Sequence, residues 1–165
     1  MNNKYKTNNS NHKRTKVEAI LWAGFLAGTL DALAGITVYS LILGRMNIIQ
    51  VLQWIASGVF GKQAFNGGLA MALVGNILHY TIAYSVTIAY FFAASYLPQL
   101  RKNSTIIGLL FGLLVWIIMN IVILPISNVA PMPFEPMVAA MGISWHMLLV
   151  GLPIVRIINK YFDNH

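Results

Sequence analysis

The chain contains no cysteine. That absence excludes disulfides, thiolate metal sites, covalent haem and cysteine nucleophiles. Charge is nearly as scarce: 9% of the 165 residues are Asp, Glu, Lys or Arg, and only four of them are acids. Signature motifs are missing as well, with no Walker loop, no GxGxxG, no HExxH pair and no GxSxG elbow in the sequence. Ser144 is available to make up a Ser/His/Asp set, but no spacing singles out a nucleophile. An enzyme is not expected.

What fills the chain instead is apolar. Hydrophobic residues make up 58% of it and the mean hydropathy is +0.68, outside the range of ordinary soluble domains. The length allows one domain. The net charge of +7 does not point to nucleic acid, because the basic residues sit between and beyond the apolar runs. That distribution is how membrane topology is specified.

The organising stretch is residues 19–43, AILWAGFLAGTLDALAGITVYSLIL, with one acid, Asp31, near its middle. About 20 apolar helical residues cross a bilayer's hydrocarbon core. The basic head before the run resembles a signal peptide. However, the run is about twice the usual ~7–15-residue signal core and no small-x-small cleavage site follows, so it reads as an uncleaved first span. Further spans are expected at about 68–96, 105–127 and 137–158. Residues 1–16, rich in Asn and Lys, read as a disordered tail ahead of a four-helix transmembrane domain over 17–160.

Residues 47–60 are too short to span. Ile48, Val51, Leu52, Ile55 and Val59 share one helical face, and Gln50, Gln53 and Ser57 the other. This predicts a short amphipathic helix in the first outer loop, lying in the interface or dipping inward. Nine basic residues fall on the side of the chain ends and two, Arg45 and Lys62, on the other. Both termini are therefore expected in the cytoplasm of a bacterial cell, with the protein multi-pass in the cytoplasmic membrane.

Each span carries a strongly polar residue. At about 1.5 Å per residue, Asp31, His79, His146 and Asn120 lie roughly 18, 16, 14 and 10 Å from the outer span ends. They are compatible with a single layer. Gly24, Gly28, Asp31 and Gly35 share one face of the first span, a thin seam open to close helix approach. Asn76 and Tyr80 lie on a polar-aromatic stripe of the second span, and Trp116 precedes Asn120 by one turn. Pro125 and Pro153 are expected to disturb the third and fourth spans.

A mid-membrane acid is costly and marks a functional position by default. Asp31 with His79 and His146 suits proton exchange, with Asn120 bridging and Tyr80 and Trp116 as pocket walls. Against this stands a structural reading, in which the polar residues only fix helix packing. Third is non-covalent haem held by His79 and His146, and a metal site at Asp31, His79 and His146 is a further option. Histidines that merely hydrogen-bond within the bundle outweigh both, so no cofactor and no metal are expected. The bilayer is the one partner the sequence names. A small solute and a homo-oligomer remain open.

Several motifs together, AGTLDALAG, VLQWIASGVFGKQAFNGG, LHYTIAY, VWIIMNIVILPIS and HMLLVGLP, resemble a group of small bacterial four-span membrane proteins without an assigned activity. They cover roughly residues 20 to 155. Phe111 and Trp116 stand where that group more often carries Tyr. The resemblance implies the class and topology and supplies no function.

Overall fold

The computed structural model describes residues 15–130 and 133–164. The tail expected over residues 1–16 therefore lies, up to residue 14, outside the described residues. Helix begins earlier than hydropathy alone indicates. The Glu18 backbone N–H donates to the Thr15 hydroxyl, and the Thr15 N–H donates to the Glu18 carboxylate at 2.8 Å. This capping box satisfies two otherwise orphaned donors and starts the helix at Lys16. Thr15 and Lys16 thus belong to the helix rather than to the tail.

Helix α1 (Lys16–Ile42) is followed by α2 (Ile48–Phe60), α3 (Gly68–Tyr96), α4 (Ser104–Ile126) and α5 (Pro136–Asp163). All except α2 are long and apolar enough to cross a membrane, and no strand occurs among the described residues. The protein is a multi-pass helical membrane protein. The first three long helices end within one residue of the sequence expectation, while α5 runs past Ile158 to Asp163. Its last turns bury Ile158 and Asn159 and are amphipathic rather than wholly apolar, so a hydropathy boundary stops short of them.

Side by side the helices run α2, α3, α1, α5, α4. The first span is therefore central. At the end of the bundle carrying Lys16 and Asp163 the packing is continuous: Ala19, Ala23 and Ala27 of α1 meet Ile154, Val155 and Ile158 of α5 in one core. Small side chains on α1 let the helices approach, and the branched residues of α5 fill the space. Tyr90 reaches into this core and packs against Phe111, the rings tilted with centroids 4.8 Å apart. Its hydroxyl lies 2.9 Å from the Leu100 carbonyl and 3.0 Å from Asn159 Oδ1, while the Asn159 amide donates to Ser104.

Three of the long helices open into a π-helical turn, at Thr37–Ile42, Ile118–Ile123 and His146–Gly151. Two of these have a local cause. The rings of Pro125 and Pro153 clash with the carbonyls of Ile121 and Leu149 four residues back and remove a donor, so the preceding turn widens. The turn at Thr37–Ile42 has no proline. It ends where Gly44, at φ +60°, reverses the chain.

The sequence divides α2 into an apolar and a polar face, and the structure buries neither face alone. Its buried residues, Val51, Gln53, Ala56 and Ser57, straddle the two, while Ile48 and Val59 stay exposed. The Gln53 amide donates to the Gly68 carbonyl at 2.9 Å, which stabilises a polar group against α3. The approach is close enough that a Cβ at Gly75 would strike the Leu52 carbonyl oxygen.

Candidate functional site

Asp31 sits halfway along the central helix, where α3 and α5 both reach it. The Trp145 indole N–H donates to its Oδ1 at 2.9 Å. His146 Nε2 lies 3.8 Å from the same oxygen, and His79 Nδ1 lies 4.0 Å from Oδ2. The side chains of Asp31, His79 and His146 are 25%, 11% and 13% exposed, so the cluster is covered without being sealed.

Glycine spacing explains how the imidazoles are aimed. Gly28 leaves room for α3 to approach, with Tyr80 and Ala83 at 3.1 Å from where a Cβ would stand. His79 Nε2 lies 2.7 Å from the Gly28 carbonyl. A carbonyl only accepts, so this nitrogen carries a proton and donates it. On α5, His146 Nδ1 lies 2.8 Å from the Gly142 carbonyl and donates to it for the same reason. Gly142 is itself covered by the Trp116 indole, and Gly112 of α4 admits the His146 backbone.

These two bonds fix a proton count. With one N–H of each ring committed to a carbonyl, a neutral ring turns its lone pair toward Asp31. An ionised carboxylate is acceptor only, and the Trp145 indole, a donor only, faces just one of its oxygens. Lone pairs would then oppose lone pairs on both sides. One added proton, held either as the Asp31 acid or as an imidazolium on either ring, relieves one of these two contacts. In either case the cluster carries no net charge, which low-dielectric surroundings tolerate better than a lone carboxylate. The three groups therefore face one another as a single acid–imidazole cluster. At 3.8–4.0 Å the gaps exceed a direct hydrogen bond and suit a bridging water or a small closure.

The other expected site residues divide. Tyr80 joins the cluster's wall, edge-on to His79 at 5.6 Å and stacked on Phe25 at 6.1 Å. The Thr29 hydroxyl donates to the Phe25 carbonyl, which leaves the Tyr80 O–H to donate to Thr29 at 2.8 Å. Asn120 does not bridge: its amide donates to the Trp116 carbonyl one turn back on its own helix. Trp116 packs over Gly142 rather than on Asp31. Asn76 is half-buried on α3, and its side chain makes no hydrogen bond among the described residues. The two imidazoles flank one carboxylate instead of facing each other, and no group of three His, Asp or Glu among the described residues is placed to hold a metal ion.

Trp145 is the residue that sequence reasoning misses. It counts as apolar in a hydropathy scan, yet its indole N–H is a donor that seeks a partner when buried. The one available signal was its position beside His146, and the two rings indeed stack at 5.5 Å. Trp145 also lines a groove of about 810 Å³ between α1 and α5, walled by Leu33, Val38 and Ile42 on one side and by Met137, Met141 and Leu148 on the other. The helices that pack without gaps near Lys16 and Asp163 thus part company beyond Asp31.

Fold and site together define an α-helical multi-pass membrane protein with an acid–imidazole cluster on its central helix. No protein-family model matches the chain, and no curated protein or solved structure matches it.

Proposed function

We propose that the chain is a small proton-linked transporter or permeation protein of the bacterial cytoplasmic membrane, with both termini in the cytoplasm and α2 as an amphipathic helix in the first outer loop. Asp31 is the group that takes up and releases the proton, and His79 and His146 are its exchange partners. Trp145 replaces Asn120 as the neighbour that orients Asp31. The observation that carries the reading is the proton count: two imidazoles locked by the Gly28 and Gly142 carbonyls turn their remaining nitrogens on one carboxylate. A cluster meant only to hold helices together has no need of two imidazole nitrogens aimed at one carboxylate.

Proton flux into liposomes under an imposed pH gradient tests this. Wild-type protein is expected to dissipate the gradient faster than protein-free vesicles, and Asp31→Asn to lose that excess. Equal flux from a folded Asp31→Asn protein would defeat the proposal.

A structural reading has its own support. The bonds from His79 to Gly28 and from Trp145 to Asp31 both cross between helices and clamp α3 and α5 to α1. Interhelical bonds of this kind contribute only about 0.6 kcal/mol each on average, a small return for burying an acid. On that reading Asp31→Asn changes stability and nothing else.

A further inference from the structure

The groove between α1 and α5 ends just beneath an ion pair. Arg45 lies three residues beyond Ile42, and Glu135 two residues before Met137, the last lining residues on each wall. The guanidinium grips the carboxylate with two parallel bonds, both 2.8 Å. The pair joins positions ninety apart in sequence, and Glu135 is the only acid between Asp31 and Asp163. Both partners are set by the backbone. The Arg45 and Met46 N–H groups donate back to the Tyr39 carbonyl, which folds the turn after α1 onto the helix end. Glu135 is the N-cap of α5, but its side chain does not cap that helix and is committed to Arg45 instead. A residue placed to stabilise its own helix locally is spent across the groove mouth.

From this we infer that the Arg45–Glu135 pair is an ionic strap that holds the far ends of α1 and α5 together and keeps the Asp31 cluster closed to the adjoining aqueous phase. The inference deepens the proton-exchange reading, because a proton site must open to one side at a time. The helices part at this end: beyond Asp31 they diverge around the groove, and α1 carries a π-helical turn there. Toward Lys16 and Asp163 their contact is continuous. The strap is also weak by construction. Its two side chains are 43% and 42% exposed, and an ion pair so exposed is readily broken and salt-sensitive.

The natural absence of cysteine makes the test direct. Ser144, on the groove wall, is replaced by Cys, and the protein is placed in lipid nanodiscs. Its rate of reaction with a cationic, membrane-impermeant methanethiosulfonate is then measured. Glu135→Gln and Arg45→Gln are each expected to raise the rate about two- to fivefold, the range one exposed ion pair can control. The exchanged pair Arg45→Glu with Glu135→Arg should return the rate to that of the parent. Added salt should speed the parent and leave Glu135→Gln unchanged. Equal rates in all variants would overturn the strap, as would an exchanged pair that stays fast. Labelling reports opening without proton flux. A strap that responds while Asp31→Asn transports normally therefore sinks the proton reading alone, and the opposite pattern sinks the strap alone.

Discussion

The Trp145 indole donates to Asp31 at 2.9 Å while its ring stacks on His146 at 5.5 Å, so one side chain holds the acid and orients its partner. Substituting Trp145→Phe keeps an aromatic ring and removes only the N–H. The expected cost is about 1–1.7 kcal/mol, the upper part of the range for interhelical bonds in membranes. Unfolding of the two proteins by steric trapping measures it. Proton flux should fall as well, because Asp31 loses the donor that fixes its oxygen between the rings.

Close helix approach gives a paired prediction. A Cβ at Gly75 meets the Leu52 backbone, which cannot swing aside, whereas at Gly35 nothing lies within 4 Å. Gly75→Ala should therefore cost about 1–3 kcal/mol by overpacking and loosen α2 from α3. Limited proteolysis between residues 43 and 67 reports the loosening. Gly35→Ala should be neutral, or stabilising by up to about 1 kcal/mol through helix propensity.

The buried amide of Asn159 makes a control far from Asp31. It is 1% exposed and donates to the Leu100 carbonyl and the Ser104 hydroxyl. Asn159→Ala should destabilise by roughly 1–3 kcal/mol, because the Leu100 carbonyl and the Tyr90 and Ser104 hydroxyls each lose a partner. Proton flux per folded molecule should not change. A matching loss of flux would show that the Asp31 cluster depends on this core and weaken its assignment as a separate site.

The Arg45–Glu135 pair predicts a pH dependence. The hydrogen bond from Arg45 holds the Glu135 carboxyl below its ordinary range. A depressed carboxylate stabilises the fold at pH above its unfolded value and loses that contribution as pH falls through the folded value. Wild type should thus exceed Glu135→Gln in melting temperature at neutral pH. The difference should shrink to nothing only in acid below the usual carboxylate range. A difference that persists there would mean the effect of Glu135→Gln is not electrostatic.

Much of this was legible in the residues, for physical reasons that also mark where legibility ends. Long apolar runs fix spans because nothing else tolerates lipid, and the α3 and α4 bounds and the end of α1 follow to within a residue. Depth along an axis brought Asp31, His79 and His146 together, and the glycine at position 28 gave the seam between α1 and α3. Depth carries no azimuth, however. Asn120 lies at a plausible height yet spends its amide on the carbonyl one turn back, an option every helical Asn has. Trp145 was invisible because a hydropathy scale weighs its ring and ignores its single donor. The Thr15–Glu18 capping box was present as T-x-x-E, but the tail's polar composition masked it. The side-by-side order of the helices is set by long-range packing, which no local pattern encodes.

One contact between α4 and α5 has a mechanical meaning. Where they cross, Gly151 stands against Gly108 and Gly112 so closely that a Cβ would collide with backbone. No compressible side chain separates the two, so they behave as a single plank. If α5 swings away from α1, α4 must travel with it. Movement at Asp31 is then a rocking of one two-helix slab against another, α4 and α5 on one side and α1 and α3 on the other, with the acid on the fulcrum line.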